Sequence, residues 1–506
     1  MASYGARYRS GLFHAAFLLI VGCSCGTEPR PSSPSSASEA DLPDGPPPAA
    51  PSDFRLESGV RPTAYRVELT IDPATERFRG RTSIAIASDA PRRAIFLHAK
   101  GLRVTTAAVR LPDGSARPAR FAEVRGDGLA VLHTRDELPR GELELLIEYD
   151  APFGSSLQGL YKVRDGGGSY AFTQFEATSA RAAFPSFDEP SFKAPFEITL
   201  LVPTGLAAVS NAPEAARTTE GSFDRVTFER TPPISTYLVA LAVGPLDIVE
   251  GGELPPNAVR PTPLRLRGIA ARGRGRQLGP ALEKVEPILR ALEQYFGVPY
   301  PYAKLDLIAV PDFAAGAMEN VGLVAFRETL LLLDTHAPSW QQRSVDYVMA
   351  HELAHMWFGN LVTMEFWDDL WLNEAFATSM SYRAIAETHP EYRPALAELA
   401  AIESAMDIDA HVSARRIRQP IESEHDVRNA FDAITYRKGA GVLRMFERYI
   451  GPVAFREGIR AYLEEHREGN ATSTDLVRAL ERASGMELGA AFASFLDRPG
   501  LPLVEA

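Results

Sequence analysis

The chain has 506 residues, of which 45% are hydrophobic and 23% charged, so its length predicts two or three soluble globular domains. Its 65 acidic side chains outnumber its 53 basic ones, which gives a net charge of −12. Nucleic acid is therefore not an expected partner, because such binding needs clustered Lys and Arg to neutralise phosphates, and the sequence has no basic run.

The first residues have the pattern of an export signal. Arg7 and Arg9 precede the apolar run FHAAFLLIVG, which is about half the length of a membrane-spanning helix, so residues 1–22 are predicted to be a signal peptide. The run ends in IVGC, which resembles the lipobox of bacterial lipoproteins and implies cleavage before Cys23 and acylation of its thiol. We expect an exported lipoprotein of the bacterial cell envelope, held on a membrane by a lipid on Cys23; a plain secretory signal is the alternative.

Residues 23–52 are rich in Pro, Ser and Ala and contain almost no large apolar residue. Such a segment cannot bury enough surface to fold, so it is predicted to be an extended linker. Both cysteines of the chain, Cys23 and Cys25, precede this linker's Pro-rich stretch. A metal in the rest of the protein would therefore have to be held by histidines and carboxylates.

Residues 53–250 are predicted to form an N-terminal antiparallel β domain. YRVELTID alternates apolar and polar residues with the period of a half-buried strand, and LELLIEYD, FEITLLVP and STYLVALAVG are similar, with Gly, Pro and Asp turns between them. No helix of convincing length is predicted in this part.

Residues 251–506 are predicted to form a mixed α/β domain that ends in helices. ALEKVEPILRALEQYFG has helical spacing and a plausible stop at Gly297, KLDLIAV is typical of a strand, and the chain beyond Trp340 is mainly helical, as in GAGVLRMFERYIG and TDLVRALERAS. The predicted fold class is thus a multidomain α+β protein.

The segment VMAHELAHMWFGN has the spacing of a metal site. His351, Glu352 and His355 fall within roughly 100° of one another on a helix, next to an apolar stripe. A polar trio against an apolar stripe must be satisfied, and a divalent metal held by the two imidazoles, with the glutamate facing its water, would do so. The alternative is a partly exposed helix with two solvated histidines.

Glu374 is the candidate third metal ligand. Eighteen residues separate it from His355, enough to end one helix, turn and bring a second helix alongside. Two histidines and one glutamate leave a fourth position open, which is typical of a catalytic rather than a structural zinc site.

This spacing, HELAH followed after eighteen residues by Glu, resembles that of a known family. The family is the gluzincin metallopeptidases, which include membrane alanyl aminopeptidase and leukotriene hydrolase. PDFAAGAMEN is similar to the family's exopeptidase motif, TQFEATSARAAFPSFDEP to its β-domain loop and ITYRKGAGVLRM to its tyrosine segment. Order and spacing fit from about Arg61 to Leu503. The resemblance implies a thermolysin-like catalytic domain in residues 251–506, one Zn²⁺ per chain, and peptide substrates with a free N-terminus.

The resemblance also implies roles for single residues. Glu352 matches the general base that takes a proton from the attacking water and passes it to the leaving amine. Tyr436 matches the tyrosine that donates a hydrogen bond to the oxyanion, and this assignment depends on the resemblance alone.

Substrate binding is predicted from two of the motifs. Glu319 and Glu176 match the family's two anchors for the substrate ammonium group, and Gln174 is expected to help line the pocket. The small residues Gly316 and Ala317, with Met318 in the same motif, suit a segment whose backbone pairs with an extended peptide.

Three departures from the family pattern accompany these matches. Val321 stands where the family usually has Trp, and Ala375 where it usually has Gly; both are expected to adjust the substrate pocket and leave the chemistry in place. The family normally continues beyond FLDRPGLPLVEA with a helical domain that roofs the site. This sequence stops there, either as a genuine two-domain form or as a truncated product, and we expect a wider and less selective cleft.

The leading hypothesis is a zinc aminopeptidase. A zinc endopeptidase is the second hypothesis. Glu319 and Glu176 argue against it, because they would block the cleft to a polypeptide that extends beyond the scissile bond on both sides. The third is a catalytically poor peptide-binding lipoprotein, against which the presence of both Glu352 and Tyr436 argues.

Overall fold

The structure, a computed structural model, describes residues 42–334 and 336–500. The predicted signal peptide, Cys23 and residues 23–41 of the predicted linker lie outside the described residues. In the part of the chain that the structure describes, no helix has the length and apolar character needed to cross a bilayer.

Up to Gly244 the described chain is built of strands joined by turns. The strands are β1 (Val60–Thr70), β2 (Arg77–Ser88), β3 (Arg92–His98), β4 (Arg103–Arg110), β5 (Ala116–Pro118), β6 (Arg120–Glu123), β7 (Leu129–Leu138), β8 (Gly141–Pro152), β9 (Gly159–Asp165), β10 (Gly168–Gln174), β11 (Phe196–Pro203), β12 (Ala207–Ser210), β13 (Glu214–Glu220), β14 (Phe223–Phe228) and β15 (Leu241–Gly244).

These strands form three sheets, in the orders β13-β14-β11-β1-β2-β8-β4-β5, β12-β15-β10-β9 and β3-β7-β6. Most neighbours are antiparallel, and β1 and β11 run parallel with Val67 opposite Ile198. In β1, Tyr65 and Val67 are buried while Arg66 between them is exposed, which confirms the predicted alternation.

STYLVALAVG was predicted as one strand, and this prediction was wrong for its first half. The strand begins only at Leu241, whereas Thr236–Leu238 forms a short 3₁₀ turn. The Thr236 hydroxyl donates to Asp188 Oδ1 at 2.5 Å and the Ser235 hydroxyl to a main-chain carbonyl at 2.7 Å. These local side-chain bonds fix a turn where the apolar pattern alone indicates a strand.

After Gly244 the chain becomes mixed and then helical. The further strands are β16 (Leu246–Leu254), β17 (Leu264–Ala271), β18 (Lys304–Val310), β19 (Ala317–Met318), β20 (Leu323–Arg327), β21 (Thr363–Met364) and β22 (Asn470–Ala471). The helices are α1 (Gly279–Phe296), α2 (Ser339–Ala354), α3 (Trp371–Thr388), α4 (Pro394–Asp409), α5 (Glu424–Asn429), α6 (Gly439–Ile450), α7 (Pro452–Glu465), α8 (Ser473–Ser484) and α9 (Gly489–Leu496).

A five-stranded sheet in the order β16-β17-β18-β20-β19 opens this second part. Every residue of β18 is buried, and its bounds coincide with the predicted strand KLDLIAV. Strand β16 runs across residues 250 and 251, where the sequence predicted a domain boundary, and pairs with β17. The short strand β19 lies at the edge of the sheet, next to β20.

Aromatic packing fixes the helices that carry the site. Gly297 directly follows α1, and its φ of 68° confirms the predicted helix stop. The last residue of α1, Phe296, packs against Trp357 and Phe358, with ring centroids 5.0 and 5.7 Å away. Phe358 stacks on Phe376 of α3 at 4.0 Å. The turn after α2 is therefore packed between α1 and α3.

The order of the elements confirms the predicted fold class, a β-rich part followed by a mixed part and then helices.

Candidate active site

The HELAH segment lies at the end of α2 and faces the start of α3. His351 and Glu352 lie in the last turn of α2, and the N–H of His355, just after it, donates to the carbonyl of His351 at 3.2 Å. Glu374 lies in the first turn of α3. The Nε2 atoms of the two histidines are 3.0 Å apart and lie 3.3 and 3.4 Å from Glu374 Oε2. The structure therefore brings the three predicted metal ligands together.

These three atoms have the spacing of ligands around a tetrahedral metal. Ligand atoms that each lie about 2.0–2.1 Å from Zn²⁺ are about 3.3–3.4 Å apart at tetrahedral angles. Nδ1 of His355 lies 3.0 Å from the carbonyl oxygen of Phe358, which makes Nδ1 the donor and leaves Nε2 free to ligate. Oε2 of Glu374 is buried without a hydrogen-bond partner among the described residues. The residues fit zinc, and within residues 42–334 and 336–500 the groups that could hold a metal occur only here.

The ionisable groups of the site influence one another strongly. Burial raises the pKa of Glu352 well above its usual range, an effect that the nearby carboxylates reinforce and His355 opposes. Burial lowers the pKa of His355, but the carboxylates of Glu319 and Glu374 outweigh it and hold the pKa well above its usual range. Burial also works to raise the pKa of Glu374, yet the two histidines lower it to about 2. Carboxylates crowded in an apolar site favour a bound cation.

The predicted amine anchors lie beside the metal ligands. Glu319 Oε1 is 3.9 Å from Nδ1 of His355. Oxygens of Gln174, Glu176 and Glu319 are buried and have no hydrogen-bond partner in the described part of the chain. Burial raises the pKa of Glu176 and of Glu319, and in each case neighbouring carboxylates add to the effect. An ammonium group would supply the charge and the donors that these oxygens lack.

The segment before Glu319 forms the edge strand β19. Ala317 and Met318 pair with β20, and the carbonyl of Gly316 accepts a hydrogen bond from the N–H of Arg327 at 2.9 Å. Gly316 and Ala317 are partly exposed and line the cleft, whereas Met318 is 1% exposed and lies against Gln174, with its Sδ 3.5 Å from Nε2. The side chain of Met318 therefore packs against Gln174 and does not line the cleft, while its main chain belongs to the edge strand that is predicted to pair with the substrate.

Tyr436 lies in a π-helical turn, Ile434–Lys438, between α5 and α6. Its ring lies nearly parallel to that of His351, with centroids 6.0 Å apart. Burial and the neighbouring carboxylate of Glu374 raise the pKa of Tyr436, which keeps its hydroxyl protonated as a donor. Asp432 holds the start of the turn, because its Oδ1 accepts from two main-chain N–H groups at 2.9 and 3.2 Å. Single π turns of this kind often occur at functional sites.

All the predicted site residues other than Met318 line one cleft of about 1010 Å³. At its rim, Lys100 of the β-rich part pairs with Glu424 at the start of α5, with Nζ and Oε1 3.0 Å apart. Val321 and Ala375, where the sequence departs from the family pattern, are 2% and 0% exposed and are absent from the cleft wall. Their predicted effect on the pocket can only act through packing behind the wall.

Sequence reasoning missed two polar residues near the site. Asn360 is 1% exposed and Lys193 contacts its carbonyl at 2.9 Å. The available signal was a lone amide in the otherwise apolar stretch MWFGNLV, directly after the HELAH segment. A buried polar group in such surroundings needs hydrogen-bond partners from other segments of the chain.

Comparison with known proteins agrees with the resemblance seen in the motifs. Residues 61–238 match the peptidase M1 N-terminal domain and residues 280–496 match the peptidase family M1 domain. Aminopeptidase M1-A of Oryza sativa is 39% identical over 459 residues, which cover 89% of this chain and 52% of the relative. Aminopeptidase M1 of Arabidopsis thaliana is 38% identical over 461 residues, with 89% and 52% covered. Leucyl aminopeptidase of Saccharolobus solfataricus is 34% identical over 449 residues, with 88% and 54% covered. The chain spans about half the length of the curated relatives it matches.

Proposed function

The chain belongs to peptidase family M1, and from this membership we propose that it is a zinc-dependent aminopeptidase that removes N-terminal residues from peptides. One observation carries the proposal: the ligand atoms of Glu319, Glu352 and His355 lie within 4.8 Å of one another. An extended residue spans about 3.3–3.6 Å. A peptide whose amine contacts Glu319 therefore has room to present only its first peptide bond to Glu352.

Each residue then has a role that its surroundings support. Zn²⁺ held by His351, His355 and Glu374 would polarise the scissile carbonyl and acidify a bound water. Glu352 takes the proton of the attacking water and transfers it to the leaving amine. Burial raises the pKa of Glu352, which makes its carboxylate a stronger proton acceptor than a solvated glutamate.

The remaining residues orient the substrate. Glu176 and Glu319 bind the ammonium group of the first residue, and Gln174 faces the same end of the cleft. The free edge of β19 pairs with the extended peptide backbone. Tyr436 donates its hydroxyl proton in a hydrogen bond to the oxyanion of the tetrahedral intermediate, a contribution of about 10²–10³ in turnover where such donors have been removed.

A matched pair of peptides tests the proposal. Zinc-loaded protein should cleave a peptide with a free N-terminus and leave its N-acetylated twin intact, and a chelator should abolish the cleavage. Glu352→Ala should reduce the rate by at least 10³-fold while zinc content, measured by elemental analysis, stays at one per chain. Equal cleavage of both peptides would indicate the zinc endopeptidase instead. Equal residual rates for wild type and Glu352→Ala would indicate the peptide-binding protein.

We also propose that the protein is exported and anchored to a membrane of the bacterial cell envelope through Cys23. Arg7, Arg9 and the apolar run that ends in IVGC support this. In bacteria fed an alkyne fatty acid, the full chain should incorporate the label and Cys23→Ser should not. Cys25→Ser, two residues further on, is the matched control and should keep the label. Labelling that survives Cys23→Ser would contradict the anchor.

A further inference from the structure

We propose that Asn360, braced by Lys193, is a positioning residue that sets the distance between the substrate's amine anchor and the metal site. The inference rests on the proposed aminopeptidase function, since it concerns the geometry of that site. Neither residue touches a ligand atom of the metal trio, and neither lines the cleft. Asn360 and Lys193 would therefore affect the reaction only indirectly, through the main chain of residues that line the cleft.

Asn360 connects the two halves of the site directly. Its N–H donates to the carbonyl of His355 at 3.0 Å, and its Nδ2 donates to the carbonyl of Glu319 at 2.7 Å. One buried residue is thereby bonded to the main chain of a metal ligand and to the main chain of the amine anchor. The two connected residues come from different elements, the end of α2 and the end of β19. A change at Asn360 would alter the spacing between them.

That spacing matters because the substrate bridges it with only three atoms. The distance from the amine nitrogen of a peptide to its first carbonyl carbon is fixed at about 2.5 Å by bond lengths and angles. Glu319 must therefore keep a constant distance from the metal, since the substrate cannot lengthen or shorten to compensate for a displacement of Glu319. A displacement of about 1 Å in an active site can reduce the rate about 10²-fold.

Lys193, from the β-rich part, holds the turn that contains Asn360. Its Nζ lies 2.9 Å from the carbonyl oxygen of Asn360, 3.0 Å from that of Leu361 and 3.2 Å from that of Gly469. An ammonium group has three donors, and the three carbonyls account for all of them. The turn approaches the metal site closely, because Gly359 has a φ of 122° and a Cβ there would lie 3.2 Å from Nδ1 of His355. Lys193 therefore links the packing of the β-rich part to the geometry at the metal.

The test measures what the amine contributes to binding, separately from metal binding and from folding. L-alanine hydroxamate and propionohydroxamate both bind a metal through the hydroxamate and differ only in the amine. The ratio of their inhibition constants on zinc-loaded full-length enzyme gives the amine contribution. In Asn360→Leu, which removes the donor to Glu319 at similar volume, this ratio should fall at least tenfold. Binding of propionohydroxamate should change less than threefold, at unchanged zinc content.

Four further variants separate positioning from a general loss of structure. Asn257 is half-buried, bonded through Nδ2 to Glu293 at 2.6 Å and not part of the cleft wall, so Asn257→Leu is the matched control and should keep the wild-type ratio. Lys193→Met should lower the ratio in the same direction, and Lys193→Arg, which keeps the cation and several donors, should restore most of it. Asn360→Leu combined with Lys193→Met should fall little below Asn360→Leu alone, because both act through one chain of contacts.

The outcomes are distinct. A wild-type enzyme that binds both hydroxamates equally would overturn the proposed function, and the inference with it. A wild-type amine preference that persists in Asn360→Leu would overturn the inference alone and leave the aminopeptidase intact. Should Asn360→Leu fail to fold, the comparison of Lys193→Met with Lys193→Arg decides: equal ratios in the two variants contradict the inference, and recovery in Lys193→Arg supports it.

Discussion

Lys438→Met should destabilise the protein by about 3–5 kcal/mol and also slow its turnover. Lys438 ends the π turn that carries Tyr436, and its Nζ lies 2.7 Å from Oδ2 of Asp409 on α4. The two side chains are 8% and 0% exposed. The substitution would leave a buried carboxylate whose remaining donor among the described residues is the N–H of Gly500 at 2.9 Å. Breaking a buried pair in this way typically costs about 3–5 kcal/mol.

The assay combines unfolding with kinetics. Urea unfolding of the zinc-loaded protein, followed by tryptophan fluorescence, gives the change in unfolding free energy. Steady-state cleavage of an alanyl substrate should show kcat reduced about tenfold or more. The reason is that the turn that carries Tyr436 loses the ion pair that joins its last residue, Lys438, to Asp409 of α4. The matched control is Lys162→Met, whose pair with Glu76 is 3.2 Å long and has an 86% exposed acid, so its loss should cost at most about 1 kcal/mol.

A double variant isolates the cause. Asp409→Asn together with Lys438→Met leaves no unpaired charge buried and should recover most of the stability lost in Lys438→Met. The reasoning is refuted if Lys438→Met costs no more than Lys162→Met, or if the double variant is as unstable as Lys438→Met alone.

Three more predictions concern the hydroxyl, the metal and pH. Tyr436→Phe should lower kcat about 10²–10³-fold with KM and zinc content nearly unchanged, because only the oxyanion donor is lost; a rise in KM at constant kcat would contradict this role. Removing the metal with a chelator should lower the melting temperature in calorimetry, and Zn²⁺ but not Mg²⁺ should restore it, since two of the three ligands are imidazoles. Burial raises the pKa of Glu189 from 4.5 to about 7, so the folded state binds the proton of this carboxyl more tightly than the unfolded state does. The contribution of this proton to the unfolding free energy, about 3 kcal/mol, is fully present below pH 4.5 and is lost as the pH rises through 7. Glu189→Gln should flatten the dependence of unfolding free energy on pH across this window, and an unchanged slope would show that Glu189 does not cause it.

The clustering of the candidate metal ligands could be predicted from the sequence because their geometry is local. Helical spacing places His351 and His355 on one face of a helix. The segment between α2 and α3 is short, so Glu374 in the first turn of α3 has to lie near the two histidines. The helix stop at Gly297 and the strand Lys304–Val310 were predictable for the same reason, since a capping residue and a continuous apolar run act within a few residues.

Features that depend on distant contacts were not predictable in this way. The parallel pairing of β1 with β11 joins strands more than 120 residues apart, and no local pattern encodes it. The π turn around Tyr436 and the burial of Met318 behind Gln174 likewise depend on neighbours from other segments. The candidate amine anchors were predicted only from the resemblance to a family, because an isolated Glu has no spacing rule that identifies its role.

The two halves of the site therefore depend on the fold to different degrees. The candidate metal ligands lie in the last turn of α2, directly after it and in the first turn of α3, and the stacking of Phe358 on Phe376 holds these segments together. The predicted amine anchor requires the end of β10 to meet β19, two strands of different sheets whose contact residues Gln174 and Met318 are 144 positions apart. We therefore expect zinc binding to persist when the contact between the β-rich part and the later part is loosened, and recognition of the amine to be lost. For this reason the amine contribution to hydroxamate binding, and not zinc content, is the measurement that responds to how the β-rich part packs on the metal site.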